Sequence, residues 1–318
     1  METSTESLVN SGGLLYPEAI SELAARTDAL FYFILWASGI ILLGLILVTA
    51  YFFIVNALGK QKKIPHVTDH FGFEFAWTAI PIVLVFIVFY WGYKDFIELR
   101  VPPEDAIVVQ VQGWKWAWGF EYPNGVTSMG EFVVPVDTPV KLVMSSKDVI
   151  HSFYLPNLRT KRDVMPNRYS TLWFKAEKTG NFQVFCTEYC GDSHSTMLAT
   201  LRVVSREKYD NWLANGGSDR ELPLDQLGEN VYKKASCFSC HSLDGSAVIG
   251  PSWKGIYGET QNFTDGTTAT VDENYLRESI VNPQKKIVEG YAPVMPSYSG
   301  LLSDREITGI IEYIKTLK

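Results

Sequence analysis

Sulfur and imidazole are scarce in this chain: its 318 residues include four cysteines, five histidines and six methionines. Four cysteines are too few to staple a disulfide scaffold, so any metal centre must draw its soft donors from a short list. Charge is sparse too, at 20% of residues, and the balance of 28 basic against 35 acidic side chains is acidic. That leaves no basic excess to displace counterions, which argues against a nucleic-acid partner. With 47% of residues hydrophobic, disorder is excluded as well. No internal repeat or low-complexity tract is present.

The charge is unevenly spread. Residues 1–99 hold 5 basic and 9 acidic side chains, residues 100–210 hold 13 and 12, and residues 211–318 hold 10 and 14. The middle of the chain is thus near neutral, and the last third is acidic.

Long uncharged runs come first. Ala29 to Gly59 is free of charge over 31 positions, and Phe75 to Tyr93 over 19. About 20 apolar residues suffice to cross a bilayer, and Pro81 is tolerable inside such a helix. The first run is too long for a signal-peptide core and no basic residue precedes Arg26, so a cleavable signal is not expected. Lys60, Lys62 and Lys63 mark the connector as cytoplasmic, against Glu2, Glu6, Glu18, Glu22 and Asp28 in the N-terminal tail. Both termini are then extracytoplasmic, outside a transmembrane hairpin.

After the hairpin the period changes to two. Ile107, Val109 and Val111 alternate with other residues, as do Val140, Leu142 and Met144. Segments 171–174, 182–186 and 197–204 are rich in β-branched or aromatic side chains. This predicts an all-β sandwich or barrel. A short helix from Ser205, closed by Gly216 and Gly217, leads to a polar linker, and from about Asp225 the pattern turns helical. Ser303 with Glu306 makes a capping-box pattern before the stripe Ile307, Ile310, Ile311 and Ile314.

The cysteines fall into two motifs. The first, Cys186-Thr-Glu188-Tyr-Cys190-Gly-Asp-Ser-His194-Ser-Thr-Met197, is a soft donor set that suits copper. One loop supplying two cysteines reads as two metal ions sharing bridging thiolates, each completed by a histidine and a weak ligand. The second histidine follows by elimination: His66 and His70 lie in the connector and His241 belongs to the other motif, which leaves His151. A Cys186–Cys190 disulfide, a Cys2His2 zinc site and a purely structural Met197 are the competing readings.

The second motif, Cys237-Phe-Ser-Cys240-His241, is the c-type haem attachment pattern, against a redox dithiol or half a zinc site. The sixth iron ligand is expected to be methionine. Met295, the only methionine of this domain, is the candidate, and a surface or core role is its alternative.

These motifs, with His151-Ser-Phe153 and Lys161-Arg-Asp163-Val-Met-Pro166, resemble subunit II of a haem–copper cytochrome c oxidase of the caa3 type, with a fused C-terminal cytochrome c domain. The resemblance covers nearly the whole length. It implies a membrane-anchored multidomain protein: a two-helix transmembrane hairpin, an all-β cupredoxin sandwich carrying the binuclear CuA centre, and an all-α class I cytochrome c domain. The expected limits are an N-terminal segment 1–28, a hairpin 29–98 with spans of about 29–58 and 73–95, a cupredoxin domain 99–204, a helix and linker 205–224 and a cytochrome domain 225–318.

The resemblance also implies that the Glu188 carbonyl is a copper ligand and that its side chain leans toward a magnesium ion shared with subunit I. Trp116, in Gly113-Trp114-Lys115-Trp116-Ala117-Trp118, matches the indole through which electrons enter CuA. Trp114 stands where many relatives have histidine, Ala117 where they have tyrosine and Asn167 where they have glycine. The competing reading of these tryptophans, Trp118 above all, is sandwich core. Glu74 resembles a carboxylate at the mouth of a proton path, and an interfacial charge that snorkels is the other reading.

The implied function is electron transfer from haem c to CuA and on to haem a in subunit I, where oxygen is reduced to water with proton pumping. The implied partners are subunits I and III, membrane lipid, and cytochrome c or a quinol-oxidising complex as donor, all at a bacterial inner membrane. A membrane-bound copper-binding or assembly protein with a fused cytochrome is the alternative. A nitrous-oxide reductase would need a His-rich cluster that five histidines cannot supply.

Overall fold

The computed structural model describes residues 15–59, 69–217 and 222–318. Glu2, Glu6, Lys60, Lys62, Lys63 and His66, on which the hairpin's orientation and part of the histidine elimination rest, lie outside them. The chain forms two compact units, one of Glu22–Val101 and one that joins the residues up to Ser21 with Pro102–Lys318.

The smaller unit is the hairpin of α1 (Glu22–Ala57) and α2 (Phe71–Arg100). Both helices are long and apolar enough to cross a membrane, and they turn their apolar side chains outward rather than into a core. They outrun the uncharged stretches: α1 starts at Glu22 rather than near residue 29, and α2 ends at Arg100 rather than near 95. The charges that extend them are paired across the hairpin. Arg26 lies 3.1 Å from the buried Asp95 and closer still to Glu98. Phe33 and Trp91 pack with ring centroids 5.8 Å apart, and Pro81 does not end α2. At the other end, His70 Nδ1 accepts from the Phe73 amide at 3.3 Å, while the Glu74 carboxylate accepts from the His70 amide at 3.2 Å. Glu74 is therefore part of a helix cap.

The larger unit begins with ten strands: β1 (Ile107–Trp114), β2 (Ala117–Glu121), β3 (Thr127–Met129), β4 (Glu131–Pro135), β5 (Pro139–Ser146), β6 (His151–Leu155), β7 (Thr160–Val164), β8 (Ser170–Lys175), β9 (Gly180–Cys186) and β10 (Leu198–Val204). They form two five-stranded sheets, ordered β3-β2-β1-β5-β8 and β4-β10-β9-β6-β7. The alternation read from the sequence is real: along β5 and β10 every second residue is buried. Trp118, Phe132, Leu142, Met144 and Phe153 fill the space between the sheets. Ile20, from the segment before α1, enters the same core, and its N–H donates to the Asn157 carbonyl at 3.1 Å. Asn167 takes the left-handed conformation, φ 59°, that asparagine tolerates better than most residues. The turn therefore survives without glycine.

After α3 (Arg206–Ala214), capped by Ser205, comes a domain of three helices: α4 (Leu224–Lys234), α5 (Glu273–Val281) and α6 (Asp304–Thr316). It is not purely helical, because β11 (Thr260–Asn262) and β12 (Thr268–Thr270) form a small antiparallel hairpin. The capping box of α6 is formed, and its isoleucine stripe is buried. Helices α4 and α6 cross at two glycines, where a Cβ on Gly228 would lie 2.0 Å from the Gly309 carbonyl oxygen.

Candidate redox centres

The sandwich brings together donors that lie far apart in sequence. His151 opens β6, Cys186 ends β9, His194 sits on a one-turn 3-10 helix, and Met197 directly precedes β10. The Cys186 and Cys190 sulfurs are free and 3.9 Å apart. Around Cys186 lie His151 Nδ1 at 3.9 Å and the Glu188 carbonyl oxygen at 3.4 Å. Around Cys190 lie His194 Nδ1 at 3.4 Å and Met197 Sδ at 3.8 Å. Each sulfur thus has an imidazole nitrogen and a weak donor beside it. That donor chemistry fits a sulfur-bridged copper pair, and a lone tetrahedral zinc would leave the thioether and the carbonyl unused.

The loop is held by backbone bonds on both sides. The Cys186 amide donates to the Met197 carbonyl at 3.2 Å, and the Thr187 amide to the Ser152 carbonyl at 3.0 Å. His151 is fully buried, and its Nε2–H donates to the Asp148 carboxylate at 2.8 Å. This fixes the tautomer and turns the Nδ1 lone pair toward Cys186. Burial opposes charge on both partners, yet their hydrogen bond prevails. His151 is shifted up, and Asp148, which also accepts from the Lys115 and Val149 amides, is held at about 2. The two thiols oppose one another: the hydrogen bond between them pulls Cys186 below the usual thiol range and, with burial, holds Cys190 above it. Sequence reading missed Asp148, although an acid three residues before a strand-opening histidine was a usable signal.

In the helical domain, Cys237, Cys240, His241 and Met295 line one cleft of about 1060 Å³ of atom-free space, its open mouth included. Trp253, Ile280, Tyr298 and Leu302 make its walls apolar, as a porphyrin requires. His241 is buried. Its Nδ1–H donates to the Pro251 carbonyl at 2.7 Å, leaving Nε2 as the free donor, and burial lowers its pKa. Gly250 backs onto the ring, where a Cβ would come within 2.8 Å of Cε1. The Met295 segment is tied down by Gln284 Nε2, which donates to the Met295 carbonyl at 3.1 Å. Burial pushes the Cys237 thiol up to about 12.

Two residues of the sandwich, Lys115 and Trp116, also line this cleft. The Trp116 indole lies against Gly191, next to Cys190, where a Cβ would sit 3.2 Å from the ring. Trp118 is core: it is fully buried, with its ring edge-on to His151 at 5.8 Å. Trp114 packs with the cytochrome-side cluster instead. Glu188 and Glu74 have exposed side chains. Among the described residues, the metal-competent cluster is His151, Cys186 and Cys190.

A membrane-anchored chain with a cupredoxin sandwich and a c-type cytochrome domain defines a class of respiratory redox proteins. Family models match in the same places: "Cytochrome C oxidase subunit II, periplasmic domain" over residues 126–204 and "Cytochrome c" over residues 226–318. Cytochrome c oxidase subunit 2 of Alkalihalophilus pseudofirmus is 32% identical over 289 residues, covering 86% of this chain and 82% of the relative. The Bacillus subtilis protein of the same name is 29% identical, with 77% and 74% covered. The solved periplasmic domain of subunit II of cytochrome oxidase of Bradyrhizobium japonicum is 30% identical, with a TM-score of 0.36, 37% of this chain and 97% of that chain covered. The chain belongs to the cytochrome c oxidase subunit II family, in the form that carries its own cytochrome c domain. It is a membrane-anchored subunit of an oxidoreductase.

Proposed function

We propose that this subunit carries electrons one at a time from haem c to CuA, and on toward haem a in subunit I, where oxygen is reduced and protons are pumped. In this reading Cys237 and Cys240 would tether the haem, while His241 and Met295 would supply ligands to its iron. His151, Cys186, the Glu188 carbonyl, Cys190, His194 and Met197 hold the copper pair. Both groups, when bound, supply reversible one-electron chemistry, and the chain supplies their placement. The carrying observation is Trp116, which lines the haem cleft and rests against the copper loop at Gly191. It is the bridge for electron entry.

The sandwich shields the Met197 and His151 donors, which are fully buried, while His194 is half-buried at its rim. Asp148 keeps His151 in one tautomer, so little has to rearrange when charge changes. Residues 17–20 belong to the same unit as the strands that follow α2. This supports a multi-pass hairpin with both soluble domains on one face of the cell membrane, which Lys60, Lys62 and Lys63 in the connector make the extracytoplasmic one. A magnesium ion at the Glu188 side chain, a proton entry at Glu74, subunits I and III as neighbours, and cytochrome c or a quinol-oxidising complex as donor complete the reading.

The test is metal analysis and EPR on the full chain in detergent. The expected result is two coppers per haem with a mixed-valence dicopper signal and a His/Met haem spectrum. One copper or none would favour the copper-assembly reading and overturn this one.

A further inference from the structure

The two ligand loops meet at a pair of hydroxyls. Thr196 stands between His194 and Met197, and Ser239 between Cys237 and Cys240. Their side-chain oxygens are 3.0 Å apart, although 43 residues separate them in sequence. The direction of this bond follows from a neighbour. Thr196 Oγ1 donates its only proton to the Ser193 carbonyl at 2.9 Å, so toward Ser239 it can only accept. Ser239 is the donor.

Elsewhere the seam between the two domains is held by stronger means. Across it Glu131 forms an ion pair with Lys234 at 3.0 Å, while Arg202 of the sandwich flanks the same carboxylate at 3.3 Å. Gly130, at φ 63°, lets its backbone press on the Lys234 carbonyl, where a Cβ would lie only 1.8 Å away. These contacts hold the domains together, whereas the hydroxyl pair lies between residues that flank the two redox centres. We propose that the Ser239–Thr196 hydrogen bond is the positioning contact that registers the haem-ligand loop against the copper-ligand loop for electron transfer.

This rests on the electron-transfer reading above. One electron crosses from haem c, which is oxidised, to CuA, which is reduced, and no proton need move. Electron tunnelling falls steeply with separation and is carried better by hydrogen-bonded atoms than by a gap. A bond that holds the loops in register therefore sets the rate without setting either potential.

The test uses the full chain in detergent with Thr196→Val, Ser239→Ala and Thr196→Ser. Hydrogen–deuterium exchange of 193–197 and 236–241 is measured with and without copper, and haem-to-copper transfer is timed after photoreduction. A single hydrogen bond of ordinary strength shifts a docked-to-open ratio by about 2- to 10-fold. Thr196→Val and Ser239→Ala should speed exchange in both loops by about that factor and slow transfer to match, with both midpoint potentials and the dicopper EPR signal unchanged. Thr196→Ser, which keeps the acceptor oxygen, should restore both readouts. If wild-type protein transfers electrons and both removing variants do so equally fast, the contact positions nothing and the proposal fails alone. If wild-type protein lacks the dicopper signal, the electron-transfer reading fails first and takes the proposal with it.

Discussion

Asp148 couples a buried histidine to solvent pH. Its carboxyl sits at about 2 in the fold against an unfolded value near ~3.9, so it stabilises the fold above that unfolded value. The contribution is lost as pH falls through the folded one. In copper-free full chain, Asp148→Asn should cost on the order of 2 kcal/mol at neutral pH. It should also flatten the fall of stability between about pH 4 and pH 2. Urea titrations followed by tryptophan fluorescence read both effects, and an unchanged acid limb would refute the assignment. Gly250 makes a second case. Because a Cβ there would meet the His241 ring at 2.8 Å and the Cys240 carbonyl at 3.1 Å, Gly250→Ala should lower the haem bound per chain while leaving copper content unchanged. The two cysteine motifs were plain in residue types and spacing, and elimination pointed to His151, which the fold sets 3.9 Å from Cys186. The Asp148 carboxylate and the Ser239 hydroxyl were not, because what they touch depends on how strands and domains meet rather than on neighbours in the chain.

The crossing of α4 and α6 gives a graded expectation. A Cβ on Gly228 meets the Gly309 backbone at 2.0 Å, whereas one on Gly309 meets the Leu224 carbonyl at 3.0 Å. A backbone atom cannot swing aside, so Gly228→Ala must part the helices, at about 1–3 kcal/mol or more. Gly309→Ala should cost less, and thermal melts of the haem-loaded chain would rank the two. The reverse order would show that the crossing tightens elsewhere. Elements with long periodic patterns, such as α6 with its capping box and β5 with its alternation, were plain in the sequence. The β11–β12 hairpin was not, since strands of three residues carry too little pattern. Trp114 also escaped, because a residue that ends a sandwich strand here packs in the neighbouring domain's cluster.

Across the chain, charge is unevenly divided. On the proposed electron route, the acidic last third would steer a basic donor toward the haem, while the near-neutral sandwich would attract it little. Neutralising acidic residues of 211–318 should slow donor oxidation at low ionic strength and flatten its salt dependence. Steady-state rates across a salt series would show this, and fast oxidation at low salt after neutralisation would rule it out. Lys115 and Trp116 at the cleft have a last consequence. On the proposed route, the haem domain itself takes the place beside the copper loop that a visiting carrier would otherwise occupy. Competition experiments with excess soluble carrier should therefore leave the proposed internal hand-over untouched, with any donor expected to dock on another side of the haem domain.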